Sequence, residues 1–328
     1  MIRTCLILLA TIAGLLTVGL AYGDYAVPTA QVIGAVIGDP ATPPDVTMIV
    51  MQLRMPRLLL AMMVGLALGA AGAIAQAVMR NPLAEPGLLG INSGAGLAAM
   101  VLMVGMERAP DYLLPPVAFA GATAMAAGIY VLSWRHGTSS LRIILIGIGL
   151  AALGNAATSF LTAFGDVRLV QRAMIWLAGS VADATWSKVE AMLAWSTLPL
   201  IAVWLTAREL DTISFGDDRA RSLGQRVNLV RGLMILMCTA LSGAAVAFAG
   251  LVGFVGLIAP HMARRLVGNG HARVIPAAAL LGAVLVMTAD LVGRTIIAPA
   301  QLPAGLLTAL LGAPFFAWLM WERRHVPA

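Results

Sequence analysis

The sequence predicts an all-α membrane protein of about ten transmembrane helices, with both termini in the cytoplasm. Three observations carry this prediction. First, the chain of 328 residues is 60% hydrophobic and 11% charged, with a mean hydropathy of +0.91, whereas soluble domains carry about 25% charged residues. Second, apolar runs of roughly 20 residues, enough to cross about 30 Å of hydrocarbon, recur from end to end. Third, the basic residues sit in short loops between those runs, the pattern that orients membrane helices. No stretch is polar enough to form a separate soluble domain, so residues 1–328 read as one membrane domain.

The runs fall near 4–22, 58–79, 90–106, 114–134, 143–163, 191–207, 230–250, 251–268, 275–293 and 303–321. The first has Arg3 before it and "GLAYG" at its end, features shared with a cleaved signal peptide. With so many spans following, it reads as the first transmembrane helix. The loop at 23–53 contains "TAQVIGAVIGD", a short amphipathic helix. Gly65 and Gly69 in the second span carry the small-residue spacing that lets helix backbones approach closely, and so do Gly250, Gly253 and Gly256 at the turn into the eighth.

Directly after the second span comes "RNPLAEPGLLGINSGAG", residues 80–96, with two prolines and four glycines. Lipid cannot satisfy the polar groups of irregular backbone, so such a segment must be buried in protein or line a wet path. The inner loop 208–229 contains "DDRARSLG", which reads as a short helix with acids in its first turn and Gly224 at its stop. Placing the amino terminus inside puts fourteen of the 21 basic residues in the cytoplasm and seven outside, which supports this orientation.

Several function classes are excluded by simple counts. The net charge of +6 could suggest nucleic acid, but its distribution among the loops marks a membrane topology and a lipid environment instead. Lys188 is the one lysine, and it sits in Trp-Ser-Lys-Val, so the chain has no Walker A phosphate loop of its own. Cys5 and Cys238 lie within apolar runs and suggest neither a disulfide nor a metal site. His136, His261, His271 and His325 are scattered, none at ligand spacing from Cys, Asp or Glu, and no nucleophile elbow is present. The residues carry no enzyme signature.

Six motifs, "LRMPRLLLAMMVGLALGAAGAIAQ", "RNPLAEPGLLGINSGAG", "GDDRARSLG", "GFVGLIAPHMAR", "ADLVGR" and "LPAGLLTALLGAPFF", occur in one order along nearly the whole chain. In this the chain resembles the FecCD-type permease family, the membrane subunits of bacterial ATP-binding-cassette importers for iron–siderophore, haem and cobalamin. The resemblance implies a type II importer permease in the inner membrane, with a cytoplasmic coupling loop at about 208–229. It implies a homodimer or heterodimer with a related permease around a central path. It also implies two cytoplasmic ATPase subunits that bind the ATP and Mg, a periplasmic binding protein that delivers substrate, and no cofactor on this chain.

Residue by residue, the resemblance implies that Asn81 and Leu83 lie at a cytoplasmic gate. Ser139 and Ser140 are the nearest match to a second gate segment, although Leu141 stands where the family often has a small polar residue, and a plain Ser-rich turn is an equal reading. Asp217, Ala220, Leu223 and Gly224 match the segment that docks in the ATPase. Arg54, Arg57 and Arg294 match arginines that receive acidic residues of the binding protein at the outer mouth. Pro56 in a first helical turn should let both Arg54 and Arg57 emerge near the outer surface, with Asp290 holding Arg294 four residues on. The wording of "MIWLAGSVADATW" and "ISFGDDRARSLG" is similar to the siderophore branch, with haem or cobalamin as alternatives. An ion-coupled carrier is the alternative from another class; its best candidate residue is Asp290, which with Arg294 reads as an ordinary ion pair.

Overall fold

The computed structural model describes all residues except 24, 136 and 324–328, and describes no side chain at 322 or 323. His136, Arg324 and His325 therefore lie outside the described residues. The described chain is nearly all helical and contains no strand. Eight helices are long and apolar enough to cross a membrane by length and composition.

α1 (Ile2–Ala21) is followed by α2 (Thr29–Ile37), the short helix expected in the outer loop. α3 (Pro44–Met48) then runs through a π-helical turn at Ile49–Arg54 into α4 (Met55–Val78). The helical stretch therefore starts well before residue 58, where the apolar run begins. Pro44 falls in the first turn of the stretch, where a missing N–H costs nothing, whereas Pro56 follows directly on the π-helical turn inside it.

α4 is the centre of the molecule, with 83% of the membrane-length window of its span buried. Its glycine face explains how. A Cβ at Gly65 would strike the Gly282 carbonyl, one at Gly69 the Ala278 carbonyl, and one at Gly72 the Gly256 backbone. Backbones this close leave no room for lipid or side chains between them. Gly253 has no such role, because nothing lies within 4 Å of a Cβ there.

After a 3₁₀ turn at Pro86–Leu89 come α5 (Ile91–Gly105), α6 (Leu114–Leu132) and α7 (Ser140–Phe164). α8 (Val167–Leu177) is an amphipathic helix, and α9 (Trp186–Leu205) crosses back. Two short helices, α10 (Ala207–Ser214) and α11 (Asp217–Ser222), fill the loop before α12 (Val227–Ala249). The chain ends with α13 (Val255–Val267), α14 (His271–Thr295) and α15 (Ala304–Arg323). α14, α12 and α13 pack on α4, while the membrane-length stretches that end in α6 and α7 are only 22% and 17% buried.

α5 and α13, expected as the third and eighth spans, have 15 and 13 residues. At 1.5 Å per residue they reach about 22 and 19 Å, short of a full crossing. Each starts from irregular backbone, at 80–90 and 250–254 respectively. These segments touch: Pro86 is what a Cβ at Gly256 would meet first, and Gln76 donates to the Leu257 carbonyl at 3.3 Å. Irregular backbone is thus enclosed by protein, as its polar groups require.

Candidate functional site

Two clusters of polar residues flank the apolar body. The first lies at the C-terminal end of α4. Val78 closes the helix, Arg80 takes a left-handed φ of 49°, and the chain turns sharply at Pro82. The Asn81 carboxamide oxygen accepts from the Leu83 N–H at 2.9 Å, while the Asn81 carbonyl accepts from Ala84 N–H at 3.0 Å. Asn81 thus folds the turn on itself, a role that suits its short polar side chain.

Ser139 caps α7, its hydroxyl accepting from the Arg142 N–H at 3.3 Å. Ser140 reaches across the fold: its buried hydroxyl donates to the Val78 carbonyl at 2.8 Å. The structure therefore joins the two segments that sequence reading singled out separately. One serine orders its own helix, and the other ties that helix to the end of α4.

The short helix α11 stands beside this junction. The four residues expected to dock a partner divide by direction. Ala220 is fully buried against Ile213 and Val227. Asp217 turns inward to Arg231 at 2.7 Å and faces Arg80 at 3.7 Å. Only Leu223, 70% exposed, and Gly224 are presented outward. Asp217 and Ala220 hold α11 to the body, which leaves Leu223 and Gly224 as the outward pair. Gly224 has φ 82°, and its N–H bonds the Arg221 carbonyl while the Gln225 N–H bonds that of Ala220. This pair of bonds is a Schellman stop with glycine in its left-handed position.

The second cluster is at the other end, where α1, α4 and α14 meet. Arg54, Arg57 and Arg294 do come together, but Arg54 and Arg294 turn inward. Buried Arg54 donates to the carbonyls of Leu20 at 2.6 Å and Ala21 at 3.1 Å, and also to that of Tyr25. Arg294 donates to the Gly19 carbonyl at 2.7 Å. The last carbonyls of a helix lack partners within it and carry partial negative charge. The end of α1 therefore draws two guanidinium groups that position alone would have sent to the surface. Arg57 holds Asp290 with contacts of 2.8–3.1 Å and donates to Gln301 at 2.7 Å. The Asp290 carboxylate, expected beside Arg294, also crosses to the neighbouring helix to meet Arg57.

Arg231 is the residue that sequence reading missed. It counted only as one more inner charge, yet it has no exposed surface and donates to Thr138 as well as to Asp217. An arginine already within the apolar run that begins at 230 was the available signal. His271 was likewise read as isolated, whereas its Nδ1 lies 2.6 Å from Asp211, sixty residues earlier. Among the described residues, no group of three or more His, Cys, Asp or Glu could hold a metal ion.

Comparison with known proteins places this geometry. The sequence matches the FecCD transport family over residues 7–322. It is 38% identical over 326 residues to a protein of Bacillus subtilis named probable siderophore transport system permease, covering 98% of this chain and 94% of that one. It is 44% identical to the achromobactin transport system permease of Dickeya dadantii, covering 86% and 81%. It is 42% identical to the hemin transport system permease of Yersinia pestis, covering 84% of each. A solved structure of a metal-chelate type ABC transporter in an inward-facing conformation superposes with a TM-score of 0.88 at 28% identity, over 98% of this chain and all of that one.

Proposed function

Because this chain belongs to the FecCD transport family, we propose that it is the membrane-spanning permease of an ATP-driven importer carrying a ferric siderophore through the bacterial inner membrane. The observation that carries the reading is the junction at the inner end, where Ser140 ties the start of α7 to the last turn of α4 beside the turn at Asn81 and Leu83. A path closed here opens when that junction separates, and α11 lies beside it to receive the push. The siderophore follows from the cargo named in the Bacillus subtilis relative above.

In this reading residues 1–328 form a single permease domain with both termini in the cytoplasm. The chain pairs with a second permease, either a copy or a related chain. Two ATPase subunits bind the ATP and Mg, and they contact Leu223 and Gly224. A periplasmic binding protein docks at the outer mouth. Arg57 is the contact there, since its guanidinium runs out to exposed Gln301, while Arg54 and Arg294 hold the mouth in shape.

Uptake of radiolabelled ferric siderophores into proteoliposomes holding the complete complex tests the proposal. ATP-dependent uptake with the binding protein present is expected. Uptake of hemin alone would move the cargo to haem, and uptake without ATPase would replace the importer by a carrier.

A further inference from the structure

We propose that Arg231 is a positioning residue that transmits movement of α11 to both inner-end segments. The inference rests on the reading that α11 docks the ATPase and that residues 81–83 gate the path. It adds the element that connects the two.

The geometry is that of a rigid fork. One terminal nitrogen of Arg231 donates to the Thr138 carbonyl at 2.7 Å and lies 3.2 Å from the Thr138 hydroxyl. The other donates to Asp217 at 2.7 Å. Thr138 immediately precedes the serines that cap α7 and bind Val78. Asp217 is the first residue of α11, and the same carboxylate oxygen also faces Arg80 at 3.7 Å. Arg80 in turn immediately precedes Asn81. A single carboxylate on the docking helix is thus linked to both segments, to one through Arg231 and to the other through Arg80.

Two physical features make this a transmitting contact. The guanidinium is planar, so its two arms cannot move independently, and a shift of Asp217 must drag Thr138 or break a charged hydrogen bond. Arg231 is also fully buried. An unpaired charge in that setting is heavily penalised, so Asp217 and Arg231 travel together. Arg80 is partly exposed and separated by a longer gap, so it follows as the weaker limb. Coupling between sites is carried by contiguous networks of this kind when the connected elements have two arrangements.

The test uses the complete permease–ATPase complex in nanodiscs, with Cys5→Ala, Cys238→Ala and Leu83→Cys as the reporter background. The labelling rate of position 83 by a water-soluble maleimide is measured with and without Mg-ATP and vanadate, alongside ATPase co-purification and hydrolysis. In the reporter background the rate should change by about fivefold or more between states. Arg231→Met should reduce that change to below about twofold while the ATPase stays bound and hydrolyses ATP. Full retention of the change would overturn the proposal. Loss of the ATPase from Arg231→Met would also overturn it, by showing that the residue only shapes the docking helix. No change in the reporter background itself would instead remove the gate reading, and this inference with it. If the Arg231→Met permease itself fails to fold, Arg231→Lys decides. It keeps the charge opposite Asp217 but cannot fork to Thr138, so a change of less than half the original is expected, and a full change overturns the proposal.

Discussion

An arginine near a helix end can reach for water or turn back to the protein, and the choice is set by which acceptors lie within its span. Arg54 finds the carbonyls of Leu20, Ala21 and Tyr25, three acceptors on a segment some thirty residues earlier. Arg54→Met should therefore lower the stability of the complex by about 1–3 kcal/mol, read as a lower unfolding temperature, with little effect on binding-protein affinity. Arg57→Gln is the contrasting case. It leaves the 2%-exposed carboxylate of Asp290 without its cation, at a cost of about 3–5 kcal/mol. Adding Asp290→Asn should recover most of that loss. Gly224 fails in a third way: with nothing within 4 Å, a new side chain meets no wall. Gly224→Val should still cost about 1–2 kcal/mol through its left-handed backbone, and ATPase co-purification should fall with it. The presence of these residues was legible in the sequence. The direction of Arg54 and Arg294 was not, because their acceptors are backbone atoms that no motif encodes.

At the level of elements, apolar runs located the long helices, and the glycine spacing in α4 marked its packing face. Which helix fills that face was not readable, since Gly65 and Gly69 could receive any small-residue partner. The structure supplies Gly282 and Ala278 of α14. Gly69→Leu should consequently prevent the complex from assembling, while Gly253→Ala, in open space, should be tolerated; expression and gel-filtration profiles of the two variants check the pair. α8 and α10 escaped sequence reading for a physical reason. They are amphipathic and short, so their sequences fall between runs and look like loop. α3 escaped because two prolines and an aspartate at 43–45 resemble a turn, although each suits a helix start.

Across the whole molecule, hydropathy treats every span alike because lipid and a protein interior are equally apolar. The structure separates them. α4, with α12 and α14, forms an inner column that is 67–83% buried, and α6 and α7 form a sheath that is mostly uncovered. An uncovered apolar face can meet either acyl chains or a second permease. The proposed importer requires a pair of permeases, so native mass spectrometry of the purified complex should show two permease chains. A single copy would remove the proposed dimer. The inner junction was half legible: its serines and its turn were each identified in the sequence, whereas Arg231 between them lay hidden as a topology charge.

The shortness of α13 bears on how the protein is made. Its 13 residues include Pro260, His261, Arg264 and Arg265, and arginine costs about 2.5–3.5 kcal/mol at a helix centre during insertion. A nascent chain that had produced only α13 would find no reason to leave it in the bilayer. α14, whose most apolar 18 residues have a mean hydropathy of 2.1, can insert unaided. It brings the α4-facing residues Ala278 and Gly282 with it, so α13 can be drawn in beside them. Biogenesis should then be out of order, with α13 reaching its final depth only after α14 has been synthesised. Chains truncated after Gly268 should leave α13 accessible to a water-soluble label from the cytoplasmic side. Chains extended past Thr295 should protect it.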